Sequence, residues 1–224
     1  EICACLVGSE MCIRDRYCSV KEKLSDRMCT DKSMDILPEC SSVSRRKMIT
    51  KKAILDAIHG KMIISCQAVE GEPLYVEEKS IMYLMARAAK QAGTPAIRTS
   101  SIRDVIAIKE ETGLPVIGLV KIQYPGYEGY ITPTMKEVDD LVAAGSDVVA
   151  LDCTLRRRGD GITVNEFIAQ IKEKYPDIIL MADISNYEEG INAWKCGVDI
   201  VGTTMSGYTA VSYTHLTLPT NSRV

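Results

Sequence analysis

Six short apolar runs, each closed by a polar residue, recur along the chain from about residue 62 to residue 204. The clearest is Leu114-Pro115-Val116-Ile117-Gly118-Leu119-Val120, which carries no charge and stops at Lys121. A run this short, with β-branched residues and with Thr112-Gly113 before it, reads as a strand buried on both faces. The others are 62–66 closed by Gln67, 96–97 closed by Arg98, 148–151 closed by Asp152, 178–182 closed by Asp183, and 199–201 followed by Gly202-Thr203-Thr204. Helices are expected between them: over 52–58, over 79–91, from a Ser101 cap to 111, over 134–144, from a Thr163 cap to 174, and from a Ser185 cap to 196. Several end at a glycine, as helices commonly do. The Tyr- and Gly-rich segment 122–132 reads as a long loop over the strand ends.

Strands alternating with helices are the signature of a parallel sheet. In a (β/α)8 barrel the C-terminal strand ends all face one mouth, where the chemistry is done. An open doubly wound sheet would alternate in the same way. It would usually place a glycine-rich phosphate loop after its first strand, and Gln67-Ala68-Val69-Glu70 is not such a loop. The expected fold is therefore α/β, a TIM barrel reduced to about six βα units.

A chain of 224 residues suits a single domain, and a net charge of -3 does not suggest a nucleic-acid or membrane-surface protein. No apolar run is long enough to cross a membrane, and no signal peptide is expected. Of the 9 cysteines, those before residue 41 show no C-x-x-C pair and no neighbouring histidine, so neither a metal site nor a disulfide framework is expected. Cys66, Cys153 and Cys196 sit in or beside apolar segments and read as reduced core thiols. Residues 1–47 and 212–224 do not share the alternation. Val7–Arg16 and Tyr213–Thr220 look like translated adapter sequence. The expected domains are thus a non-native or disordered leader at 1–47, a partial barrel at 48–211 starting at Met48, and a non-native tail at 212–224.

A lysine at a strand end can be partly desolvated, which brings its pKa toward the range useful for proton transfer. It can equally snorkel to water. Asp152 and Asp183 can orient such a lysine, bind sugar hydroxyls, or merely cap the next loop. Arg98 can bind an anionic oxygen or form a structural ion pair. Gln67 can hold an amide group or cap its loop. The basic run Arg156-Arg157-Arg158 follows the fourth strand, so it reads as an anion-attracting loop at the mouth rather than a nucleic-acid patch. Cys153 has no histidine partner in view and reads as part of the barrel wall.

The stretches Ile64-Ser65-Cys66-Gln67-Ala68, Ala96-Ile97-Arg98, Pro115–Lys121, Ile131-Thr132-Pro133-Thr134-Met135-Lys136-Glu137-Val138, Ala150-Leu151-Asp152-Cys153-Thr154, Met181-Ala182-Asp183-Ile184-Ser185 and Val201–Thr209 together resemble the N-acetylmannosamine-6-phosphate 2-epimerase family of (β/α)8 barrels. The resemblance runs from about Ile54 to Ala210. It implies a cytoplasmic, cofactor-free isomerase that interconverts N-acetylmannosamine 6-phosphate and N-acetylglucosamine 6-phosphate. Its substrate is a small sugar phosphate, with no nucleic-acid or membrane partner and room for a homo-oligomer. By the same resemblance Lys121 matches the catalytic lysine and Gln67, Arg98 and Asp152 match substrate-contacting positions. Asp183, Thr203 and Thr204 match positions at the same mouth. The family's seventh and eighth strands, with a catalytic glutamate and phosphate loops, have no counterpart after Tyr208. The chain as written is therefore expected to be an inactive fragment. Another phosphate-binding barrel isomerase, a Schiff-base aldolase using Lys121, or a non-catalytic binding fragment are the alternatives.

Overall fold

The structure, a computed structural model, describes residues 50–212. The leader 1–47 and residues 213–224 of the expected tail lie outside the described residues. Ser212, where that tail was expected to begin, is buried, and its hydroxyl accepts from the Gly207 and Thr209 N–H groups.

The elements run α1 (Lys51–Ile58), β1 (Ile64–Ser65), α2 (Met82–Gln91), β2 (Ile97–Ser100), α3 (Ile102–Thr112), β3 (Val116–Leu119), α4 (Met135–Ala143), β4 (Val148–Asp152), α5 (Val164–Lys174), β5 (Ile179–Asp183), α6 (Tyr187–Lys195) and β6 (Ile200–Gly202). All strands are parallel, and the sheet order is β1-β2-β3-β4-β5-β6. A doubly wound sheet reverses its order at a switch point. Here every strand lies beside its successor, which is barrel order. The described residues form six consecutive strands of a (β/α)8 barrel, the first five each followed by a helix.

Strand side chains alternate between faces, and the alternation separates two cores. Cys66, Ile97, Val116, Val149, Leu151, Leu180, Ala182 and Val201 face outward and pack on residues of α2 to α6. Ile63, Ala96, Ile117, Leu119, Val148, Ala150, Ile179, Met181 and Ile200 form the inner cluster. Ile54 and Ile58 of α1 join that inner cluster, so α1 plugs the end at which the strands begin. Lys51 fixes the plug through an ion pair with Asp199 (2.8 Å). At Gly118 an added Cβ would lie 2.9 Å from Leu141 Cδ2. This strand therefore needs glycine for the close approach of α4.

The βα alternation was legible, and its boundaries shift by a few residues. β1 is shorter than expected and leaves Met62 60% exposed. α2 starts at Met82, whose N–H is taken by Ser80 Oγ (3.2 Å). α6 is capped by Asn186, not Ser185: Asn186 Oδ1 accepts from Glu189 N–H (3.0 Å). Segment 122–132 does more than cover the strand ends. It folds back, and Ile131 forms an antiparallel bridge with Lys121.

Candidate active site

The period-2 alternation that fills the inner core with aliphatics also decides which polar residues line the mouth. Gln67, Arg98, Lys121, Asp152, Asp183 and Thr204 share the parity of inner-cluster residues on or beside their own strands, so all belong to the inner face.

Arg98 and Asp183 are the buried centre, at 2% and 0% exposure. The guanidinium donates from Nη1 to Asp183 Oδ1 (3.0 Å) and from Nη2 to Oδ2 (2.7 Å), the fork geometry that arginine presents to carboxylates. Thr204 Oγ1 donates to the same Oδ1 (2.6 Å). Thr203 is half-buried in the adjoining turn. Asp152, in register with Asp183, accepts from Thr154 N–H (3.1 Å), Thr154 Oγ1 (2.5 Å) and Arg156 Nη2 (2.6 Å). Burial raises the pKa of Asp152, with the Thr154 and Arg156 contacts pulling the other way.

Lys121 is half-buried just beyond β3. Burial holds its pKa below the ordinary lysine value and nearby Arg98 pushes the same way, while Glu72 and Asp183 oppose. Among the described residues it is the charged inner-face side chain with no ion pair of its own. The folded-back segment sets its position. Thr132 N–H donates to Val120 O (2.7 Å), Thr132 Oγ1 donates to Ala150 O (2.7 Å), and Asp152 N–H donates to Ile131 O (3.0 Å). The segment thus wedges between the ends of β3 and β4. Thr132 holds a left-handed backbone at φ 46°, a conformation that costs a β-branched residue about 1–3 kcal/mol and persists only where bonds over-determine it.

Helix N-termini brace the same loops. Buried Glu189 of α6 accepts from Leu155 N–H (3.2 Å) and from Ser185 N–H (2.7 Å) and Oγ (2.8 Å), tying the loop after β4 to the loop after β5. Glu137 of α4 accepts from Thr134 and from the Tyr124 hydroxyl (2.8 Å). Gly129 leaves room for Asp152: an added Cβ would lie 2.8 Å from Oδ2. Gly129→Ala is expected to displace that carboxylate and cost about 1–3 kcal/mol through overpacking, read as a lower midpoint in thermal melting.

The remaining candidates sort as follows. Gln67 donates from Nε2 to Ser65 Oγ (2.7 Å) and so turns along its own strand. Of the basic run, Arg156 binds Asp152. Arg158 lies 4.0 Å over the Phe167 ring and pairs with Asp160 (2.7 Å). Arg157 alone of the three is exposed. Burial raises the Cys66 thiol pKa to about 11 and also pushes the Cys153 thiol well up, so both are inert wall residues. His59 ends α1, at the end opposite the mouth. Sequence reading missed Tyr130. It packs on the inner cluster, and burial followed by Asp152 and Tyr208 raises its pKa. Arg98 takes the ion-pair alternative open to it, and its partner, Asp183, is what sequence reading did not name. Among the described residues, no helix is long and apolar enough to cross a membrane.

The family described as "Putative N-acetylmannosamine-6-phosphate epimerase" matches residues 82–217. A relative from Caldanaerobacter subterraneus subsp. tengcongensis is 52% identical over 159 residues, covering 71% of this chain and 66% of its own length. One from Enterobacter sp. (strain 638) is 48% identical over 170 residues, covering 76% and 71%. Both carry the name "Putative N-acetylmannosamine-6-phosphate 2-epimerase". The solved N-acetylmannosamine-6-phosphate 2-epimerase from Clostridium perfringens superposes with a TM-score of 0.66 at 48% identity, over 71% of this chain and 68% of that one. The chain spans about two thirds of the length of the curated relatives it matches. With the family match covering more than half its residues, the chain belongs to the N-acetylmannosamine-6-phosphate epimerase family.

Proposed function

We propose that this chain carries the proton-abstracting half of an epimerase site that interconverts N-acetylmannosamine 6-phosphate and N-acetylglucosamine 6-phosphate. The observation that carries the reading is Lys121: half-buried, below its ordinary pKa, without an ion pair among the described residues, and beside the Arg98–Asp183–Thr204 cluster. In the open-chain sugar the C1 aldehyde acidifies the C2–H bond. The neutral Lys121 amine takes that proton and becomes an ammonium, the C2–H electron pair moves into an enolate, and charge develops on O1. Return of a proton to the opposite face of C2 inverts the centre. Thr203 and Thr204 are assigned to oxygens of the substrate. Asp152 and Asp183 are assigned to its hydroxyls or to holding cationic neighbours, because both carboxylates are already bonded. Gln67 and Arg98 complete the substrate contacts. The chemistry needs no cofactor.

The same reading places the protein in the cytoplasm, where buried thiols such as Cys66 stay reduced, as a homo-oligomer or a monomer. It assigns no nucleic-acid partner, in keeping with the internal bonding of Arg156 and Arg158.

The test is exchange of the C2 hydrogen of N-acetylmannosamine 6-phosphate with deuterium oxide, followed by NMR, in a version of this chain that carries all eight strands of the family barrel. Absence of enzyme-dependent exchange would sink the reading. An aldolase would instead be trapped covalently at Lys121 by borohydride with substrate.

The base must be neutral to act, so exchange is expected to rise with pH through the lowered Lys121 pKa and then level off. Glu72 raises that pKa. Glu72→Gln should therefore move the rising limb to lower pH without lowering the plateau. A limb that stays put would show that Lys121 is not the titrating base.

A further inference from the structure

β3 and β4 carry Lys121 and Asp152 to the mouth, yet their mutual pairing gives out before they reach it. Among the described residues the two strands pair at Ile117 with Val148 and at Gly118 with Val149. β4 and β5, by contrast, stay paired to their ends, through Asp152 with Asp183. Past Gly118 the returning segment stands in for the ladder, and Thr132 bonds both sides of the gap. On the β3 side its N–H donates to Val120 O (2.7 Å) and its Oγ1 accepts from Val120 N–H (3.2 Å). On the β4 side Oγ1 donates to Ala150 O (2.7 Å). A threonine hydroxyl has one proton, and this one is spent on Ala150. Thr132 is also 1% exposed, so it offers nothing to a substrate. Its φ of 46° is one that glycine would adopt without cost. Strain of this kind clusters where the surrounding bonds over-determine a functional site.

We infer that Thr132 is a positioning residue of the epimerase: it sets where the Lys121 amine lies relative to the Asp152 carboxylate across the gap between β3 and β4. This rests on the reading of Lys121 as the base. Val120 immediately precedes Lys121, and Lys121 itself bridges Ile131, the residue before Thr132. Ala150 is two residues before Asp152 on the same strand, and Asp152 N–H is held by Ile131 O (3.0 Å). One hydroxyl bonded to both strands therefore transmits the placement of either end to the other. Proton transfer is sensitive to such placement, since a displacement of about 1 Å can cost on the order of 10²-fold in rate.

The test measures kcat and KM for C2 exchange of N-acetylmannosamine 6-phosphate, well below the melting temperature, in a version of this chain that carries all eight strands. Thr132→Val keeps the shape and loses the hydroxyl. Its kcat is expected to fall by about 10- to 100-fold, with KM nearly unchanged because substrate contacts are intact. Thr132→Ser keeps the hydroxyl and should keep the parent kcat. Thr132→Gly removes the backbone cost and the hydroxyl together, so its kcat should fall as that of the valine variant does, and it replaces that variant should valine not fold. In the valine and glycine variants the rising limb of the pH profile should move to higher pH. A loosened Lys121 is less buried, burial is the main cause of its lowered pKa, and the charges acting on it, Glu72, Arg98 and Asp183, are untouched. A threonine that served the fold alone would lower the melting temperature and leave kcat, KM and the pH limb of the folded protein in place. That result, a raised KM at constant kcat, a serine variant as slow as valine, or the failure of both the valine and glycine variants to fold would overturn the assignment while leaving the epimerase reading standing. Absence of exchange in the unsubstituted eight-stranded protein would overturn both.

Discussion

In a version of the chain that carries all eight strands, Lys121→Met is expected to lower substrate C2 exchange by about 10³-fold or more, the scale expected when a positioned general base is deleted. The fold should survive. Methionine keeps the length of the side chain, and the bridge between Lys121 and Ile131 is a backbone feature. Burial works against the charged form of this lysine, so an uncharged replacement relieves a penalty and the melting temperature should hold or rise. Circular dichroism and thermal melting check the fold while NMR follows exchange. Retained exchange at unchanged stability would transfer the role of base to another group. A joint loss of exchange and of cooperative melting would mean that Lys121 is a structural element.

The inner-face geometry explains why candidate site residues could be picked out in the chain. A strand end in a parallel barrel is marked twice in sequence, by the cessation of apolar residues and by the polar residue that follows. Lys121, Asp152 and Asp183 each carry both marks. What stayed hidden depends on partners far along the chain. Arg98 and Asp183 are 85 residues apart, and neither announces the other. Ser185 and Asn186 are both good helix caps. The choice of Asn186 follows from Glu189, which draws the Ser185 hydroxyl and N–H to its own carboxylate. The return of segment 122–132 rests on Thr132, whose side chain bonds β3 and β4 at once, and a threonine in a loop carries no sign of that. The second apolar run stops at Arg98 in the sequence, whereas β2 continues through Ser100.

Asp183→Ala is expected to be the most destabilising single change in the described chain, at about 3–5 kcal/mol, because it leaves the Arg98 guanidinium buried without its carboxylate. For a domain of this size that corresponds to a melting temperature roughly 10 °C lower. The reverse deletion, Arg98→Met, should cost a similar amount near neutral pH, but the two penalties part in acid. A carboxyl group left alone can take up a proton and lose its charge. A guanidinium cannot lose its proton in this range. The Arg98→Met deficit should therefore shrink as pH falls, and the Asp183→Ala deficit should not. Removing both charges, as in Arg98→Met with Asp183→Leu, should recover much of the stability, since a buried ion pair is often matched by apolar side chains of similar volume. That double variant should still fail to exchange C2 hydrogen. It lacks the anchor that receives Thr204 (2.6 Å) and both charges that act on Lys121 from this pair. Thermal melts of the four proteins at two pH values, with exchange measured on each, separate the two roles. Single deletions that each cost under about 1 kcal/mol would place the pair in a solvated setting, contrary to its burial. A stable double variant with full exchange would show that the pair serves the fold alone.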